Sequence, residues 1–308
     1  MSFRWYIYYC ALLGGCAGYL GWALGRCVPF EHHLLQAPLR GMFVGLCIAV
    51  VLTLVDWLWN FRTGAFADNF GRLLLAGVAG ALGGVVGGFL GQLLYSLTQQ
   101  ILFVLLGWTG TGMLIGAGPG LFDLVVRRGT GGEQPRPARR KVINGILGGT
   151  LGGFLGALVY LLLLGAWRLV FSNRVDDFWT PTATGFIALG MCIGLMIGLA
   201  QVLLKTAWIT VVSGFRAGRE WVLSRGEMTI GRAEGSDIPL FGNSAAEKEH
   251  ARLILREGDY YIEDLNTPQG TFVNGERVNR PRLLRHGDLI EIGRSSLRFG
   301  ERIKREGA

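Results

Sequence analysis

The side chains best suited to chemistry in this 308-residue chain gather in its last hundred residues. They fall in four short segments: Met228-Thr-Ile-Gly-Arg232, Glu247-Lys-Glu-His-Ala-Arg252, Gly270-Thr-Phe-Val-Asn-Gly275 and His286-Gly-Asp-Leu-Ile-Glu-Ile-Gly293. Together they supply a guanidinium, imidazoles, carboxylates and an amide, interleaved with glycines. That set can hold a ligand, but nothing in it points to turnover. The chain has no Gly-Lys-Ser/Thr phosphate loop, no His-Glu-x-x-His, no Gly-x-Ser-x-Gly, and four histidines in all. It is read as a non-enzyme without cofactor. Adjacent His32 and His33, beside Glu31, lack the further ligands that one ion would need, so no metal site is expected. Cys10, Cys16, Cys27, Cys47 and Cys192 show neither metal-ligand nor disulfide spacing and read as small apolar packing residues.

The elements that must position these segments begin near Thr206. From there short alternating runs are separated by turn residues: Trp208–Val212, Ser213–Gly218, Glu220–Leu223 and Glu227–Ile230. Further strands are expected at Ala251–Arg256, Asp259–Asp264, Thr271–Val273, Leu289–Ile292 and Leu297–Phe299. Strands of this length with Gly, Asn and Pro punctuation indicate an all-β sandwich.

In order and spacing the four segments resemble the forkhead-associated (FHA) domain over about residues 206–304. That module typically reads phosphothreonine in a partner protein through loops at one end of a sandwich. The resemblance gives Arg232 the phosphate-binding role, for which a planar guanidinium suits bidentate hydrogen bonding. It gives His250 the role of bracing the binding loop. Asn274-Gly275 becomes the turn before the next strand, where positive φ is needed. Three positions depart from the family pattern. Glu247 stands where a phosphate-binding serine is usual, and its carboxylate would repel a phosphate of −1.5 to −2 charges. Lys248 beside it offers a cation, and Ser244 lies in the same loop. Thr267-Pro268-Gln269-Gly270-Thr271 replaces the usual Ser-Thr-Asn-Gly-Thr, so Pro268 removes a donor and Gln269 keeps an amide of longer reach. The partner-binding set implied by the resemblance is Arg232, Ser244, Glu247, Lys248, His250, Thr267, Gln269 and Asn274. An internal Arg232–Glu247 salt bridge that closes the site is the competing reading.

The remainder of the chain has a different solvent. Half of all residues are hydrophobic, 49 are glycine, and the mean hydropathy is +0.38, too apolar for an ordinary soluble protein. Apolar runs predict six transmembrane helices near 5–25, 41–60, 73–97, 101–125, 142–166 and 183–204, in a transmembrane domain of residues 1–205, before the FHA-like domain at 206–304 and a tail at 305–308. The net charge of +8 belongs to the first half: residues 206–308 carry 16 Lys/Arg and 15 Asp/Glu, residues 1–205 carry 14 and 7. Arg127, Arg128, Arg136, Arg139, Arg140 and Lys141 cluster in a Gly/Pro-rich loop between spans four and five, which by the positive-inside rule places that loop, both termini and the FHA-like domain in the cytoplasm of a multi-pass cell-membrane protein. No groove-reading motif accompanies the charge, so nucleic acid is not expected as a partner. Tryptophans at span ends, among them Trp5, Trp57, Trp59, Trp108, Trp167 and Trp179, fit the interfaces.

Odd spans carry Leu13-Gly-Gly, Leu82-Gly-Gly and Leu147-Gly-Gly runs; even spans carry Gly41-Met-Phe-Val-Gly45, Gly112-Met-Leu-Ile-Gly116 and Gly190-Met-Cys-Ile-Gly194. The pattern reads as three parallel two-helix repeats whose glycine faces pack tightly, a glycine zipper. In Gly116-Ala-Gly-Pro-Gly120 the proline should kink or break span four. Asp56, Asp123 and Gln201 sit near the cytoplasmic ends of even spans, where ion pairing or snorkelling accounts for them. With so short a junction at Lys205-Thr206, the sandwich is expected to sit flush against the membrane. These readings converge on a signalling adaptor in the lipid bilayer that receives a protein partner, threonine-phosphorylated or not, with homo-oligomers compatible. The alternative is a small channel or transporter regulated by its cytoplasmic domain.

Overall fold

The structure, a computed structural model, describes residues 3–28, 33–60, 66–129, 136–170, 180–205, 207–214, 217–223, 226–233 and 235–302. Glu31, His32, Arg62, Trp179, Thr206 and the tail at 305–308 lie outside them, as does the 130–135 linker. The chain divides into a helical unit, Arg4–Trp59 with Ala67–Leu203, and a β unit that begins at Leu204.

The helical unit holds α1 (Phe3–Cys27), α2 (His33–Asn60), α3 (Phe66–Thr98), α4 (Leu102–Gly129), α5 (Arg136–Val170) and α6 (Pro181–Leu203). Among the described residues, five stretches are long and apolar enough to cross a membrane: Arg4–Cys27, Gln36–Trp59, Phe70–Thr98, Arg139–Trp167 and Pro181–Leu203. The apolar stretch described in α4 is Leu102–Gly118. Of the kink or break expected at Pro119, the break does not occur: α4 continues as helix through it, and α2 likewise contains Pro38. Large apolar side chains such as Leu82, Val86, Leu147, Leu151 and Leu162 point outward, and glycines fill the contacts between helices. This inversion of the soluble pattern suits hydrocarbon surroundings, where close van der Waals packing holds helices together.

Those contacts are backbone to backbone. Gly41 and Gly45 of α2 meet Gly84 and Gly80 of α3, and Gly112 and Gly116 of α4 meet Gly149 and Gly145 of α5. Gly190 and Gly194 of α6 meet Gly14 and Cys10 of α1. The opposite faces of the odd helices carry a second set, Gly21 against Val44, Gly87 against Gly107 and Thr111, and Gly152 against Ile193. Through these glycines each helix meets two others, and the α6–α1 contact closes the series. Gly14 thus faces Gly190 as Gly84 faces Gly41 and Gly149 faces Gly112. At one end of the unit Lys141 pairs with Asp56 at 2.6 Å, and the Gln201 amide donates to the Lys141 carbonyl at 3.4 Å.

The β unit comprises β1 (Ala207–Ser213), β2 (Glu220–Val222), β3 (Glu227–Gly231), β4 (Ile238–Pro239), β5 (Ala251–Arg256), β6 (Asp259–Asp264), β7 (Thr271–Val273), β8 (Glu276–Arg277), β9 (Arg282–Leu283), β10 (Leu289–Ile292) and β11 (Ser295–Glu301). One sheet runs β2-β1-β11-β10-β7-β8 and the other β4-β3-β5-β6-β9. Alternating inward residues, including Ile209, Trp221, Ile230, Leu253, Ile262, Val273, Ile290 and Phe299, form the core. Of the run Ser213–Gly218, expected to be a strand, Ser213 ends β1 and the described residues that follow belong to the β1–β2 connection: Gly214 and Gly218 have φ of 108° and 82°, and the Gly218 N–H donates to the Val211 carbonyl at 2.8 Å. The two-residue strands β4, β8 and β9 are too short to leave a period in the sequence. Register matters most in β5–β6, where Ala251 lies opposite Asp264 and so brings the start of one strand to the end of the other.

Candidate functional site

Arg232 follows the last residue of β3, and its position is set by glycine. A Cβ on Gly231 would run into the Lys248 carbonyl, so only glycine lets the β4–β5 loop cross there. The crossing is stitched by Arg232 N–H to the Glu247 carbonyl at 2.8 Å, Ala233 N–H to the Lys248 carbonyl at 3.0 Å, and His250 N–H to the Ile230 carbonyl at 2.9 Å. Arg232, Glu247 and Lys248 are all exposed. Arg232 and Glu247 meet through backbone atoms; among the described residues their side chains form no ion pair.

His250 joins this loop to the next. It is fully buried, and its Nδ1 accepts the Glu247 N–H at 3.0 Å. The other nitrogen, Nε2, then carries the proton and faces the Gly270 carbonyl at 3.2 Å and the Thr267 hydroxyl at 3.0 Å. Asp264 supports the same loop: its carboxylate accepts the Thr267 N–H at 3.0 Å, the Thr267 hydroxyl at 2.9 Å and the Thr271 hydroxyl at 2.7 Å. Burial pushes the Asp264 pKa up, but the hydrogen bonds from Thr271 and Thr267, with nearby His250, outweigh it and hold the carboxyl below its usual value. Thr267 is thus enclosed as a brace, while Pro268 and Gln269 stand exposed at the tip of a turn closed by Gly270 N–H to the Thr267 carbonyl at 3.1 Å.

Ser244 is exposed beside Asn243, a buried anchor whose amide donates to the Ile292 carbonyl at 2.7 Å and the Ser295 hydroxyl at 3.0 Å. Arg232, Ser244, Glu247, Lys248 and Gln269 therefore belong to loops tied together at one end of the sandwich. Asn274 does not join them. It lies at the far end of β7, in a two-residue turn with φ of 53° and 82° at Asn274 and Gly275, and its amide bridges Asp288 at 2.9 Å and Leu289 N–H at 2.9 Å. That geometry is a type I′ hairpin locked to the β9–β10 connection.

Three residues of the site escaped sequence reasoning. Asp264 had a legible signal, an Asp three residues before a Thr, the spacing at which an N-cap-type carboxylate accepts a backbone N–H. Asn243 carried none, since its partners are about fifty residues away. Arg277 carried none either: the β7–β8 register opposes it to Phe272, and its guanidinium lies against Gly270, with Nε 2.7 Å from where a Cβ would be. It also donates to the Thr267 carbonyl at 3.4 Å. This adds a second exposed guanidinium to the β6–β7 side of the site.

The FHA domain model matches residues 228–293. FhaB, an FHA domain-containing protein of Mycobacterium tuberculosis, is 28% identical over 142 residues, 45% of this chain and 90% of that protein. The glycogen accumulation regulator GarA of Mycolicibacterium smegmatis is 30% identical over 132 residues, 43% of this chain and 77% of that protein. Among solved structures, the N-terminal FHA domain of Rad53p from S. cerevisiae, in complex with a phosphothreonine peptide, is 24% identical, with a TM-score of 0.29 over 32% of this chain and 94% of that one. By its C-terminal unit, with matched residues and relatives that span most of their own length, the chain belongs to the FHA-domain family.

Proposed function

We propose that the chain is an integral membrane protein that presents its FHA domain on the cytoplasmic face as a docking module for a threonine-phosphorylated protein. The observation that carries this reading is the Arg232 guanidinium, without an ion pair among the described residues and exposed at the crossing of two loops that His250 holds together. Lys248 stands on the same loop, and Glu247 tempers the site without occupying Arg232. The FHA match supports the phosphothreonine dependence. The helical unit acts as the anchor, built as three parallel hairpins; the repeated pairing of Gly41, Gly112 and Gly190 with a glycine of an odd helix supports that reading. The basic run Arg136–Lys141 supports a cytoplasmic position for both termini.

The test is a pull-down of phosphothreonine and unphosphorylated peptide libraries by the full chain in detergent, beside Arg232→Ala. Phosphate-dependent capture should fall at least about tenfold in the variant, the loss of a charge-assisted bidentate contact. Equal capture of both libraries by both proteins would show that the domain reads something other than phosphate.

A further inference from the structure

We infer that the helical unit contains a binding site for a phosphate-type oxyanion, centred on Arg40 and separate from the FHA domain. A cavity of about 180 Å³ lies among α2, α3, α4, α5 and α6. Its polar lining among the described residues is Arg40, Gln92, Trp108, Tyr160 and Thr182, without a carboxylate. Arg40 is partly buried; its Nε, shielded from solvent, has no hydrogen-bond partner among the described residues, and none of the described ion pairs reaches its guanidinium. A shielded donor left unsatisfied on a partly buried cation is unfavourable, and a bound oxyanion removes that deficit.

Position makes the arginine harder to explain as packing. Arg40 precedes Gly41 as Thr111 precedes Gly112 and Leu189 precedes Gly190, and both Thr111 and Leu189 are fully buried. Two of three equivalent places are thus filled by side chains that need no counter-ion. At the third, the aliphatic stem packs on Gly25 of α1, with Cγ 3.0 Å from where a Cβ would be, and the head is left to the cavity. Bare backbone at Gly87, Gly88 and Gly91 forms one wall, so the space beside the guanidinium is not closed by side chains. Val104 and Thr182, in the first turns of α4 and α6, bring two positive helix ends to the same space. A guanidinium fork fits the oxygens of phosphate in pairs.

The phosphate can come from solution or from a lipid headgroup, and one experiment separates them. The full chain carrying Arg232→Ala, which removes the central cation of the FHA site, is purified in neutral detergent, and helix melting is followed at 222 nm. It is titrated with inorganic phosphate against chloride of equal ionic strength, and in parallel with phosphatidylglycerol against phosphatidylcholine in mixed micelles. A saturable rise of the midpoint with phosphate assigns a free anion; a rise with phosphatidylglycerol alone assigns a headgroup. In either case Arg40→Gln should weaken the apparent affinity at least about tenfold. Where Arg40→Gln fails to fold, Thr182→Glu serves: its internal carboxylate should raise the midpoint and abolish the response. No saturable shift with either probe, an unchanged affinity in Arg40→Gln, or a retained response in Thr182→Glu would overturn the assignment.

Discussion

Replacing Asp264 by Asn tests how the β6–β7 loop is held. In the native carboxylate, Oδ1 accepts two hydroxyls, from Thr267 and Thr271, and Oδ2 accepts the Thr267 N–H. An amide oxygen at the Oδ1 place keeps both hydroxyl bonds without the charge. The amide nitrogen then faces the Thr267 N–H, donor against donor. One lost backbone bond and two weakened ones sum to about 2 kcal/mol, roughly a thirtyfold shift in the opening equilibrium of the loop. Hydrogen exchange of peptides spanning residues 260–272, corrected for intrinsic rates, reads that shift directly. The pH arm has a defined sign. Because the folded carboxyl is held below its usual value, its contribution is complete above the unfolded pKa near 4 and disappears as pH falls through the lower folded value. The wild-type loop should therefore lose protection below about pH 4, and Asp264→Asn should lack that component. Exchange in the variant within twofold of wild type, or identical acid profiles for both proteins, would refute the account of the loop.

Three other outcomes follow from the same geometry. Glu247→Ser should raise affinity for phosphothreonine peptides about tenfold, since it removes a carboxylate next to a doubly charged ligand, as measured by fluorescence anisotropy. Gly84→Ala places a methyl into the Gly41 backbone and should cost more than about 2 kcal/mol, whereas Gly110→Ala, which has nothing within 4 Å, should be neutral or stabilising by up to ~1 kcal/mol; helix melting in detergent compares the two. Asn274→Ala should lower the stability of the β unit by about 1 kcal/mol through the lost Asp288 and Leu289 bonds while peptide affinity stays within twofold.

Strands with a full alternating period were legible: Ala251–Arg256, Asp259–Asp264, Thr271–Val273 and Leu289–Ile292 occur as read. Strands β4, β8 and β9 were not, because two residues have no period and their pairing depends on sheets assembled from distant segments. Within the site, Arg232 and His250 were legible through the motif, but the role of Thr267 depended on side-chain direction: its hydroxyl turns inward to Asp264. Asn274 was assigned to the ligand because its segment contains it, yet β7 carries it to the opposite end. In the helices, the contact of Gly14 with Gly190 joins residues far apart in sequence and emerges only from the assembled unit.

The closing contact of α6 with α1 has a consequence for synthesis. The Gly14 face of α1 finds its partner in Gly190 and Gly194, which the ribosome makes more than 170 residues later. At about 5–20 residues per second, α1 waits on the order of ten seconds or more before that glycine face can meet its partner. The helix that ends this wait also leads directly into the FHA domain. Completion of the helical unit and emergence of the FHA domain are thus successive events on one nascent chain, with α6 the last helix of its unit to be made before the domain that follows it.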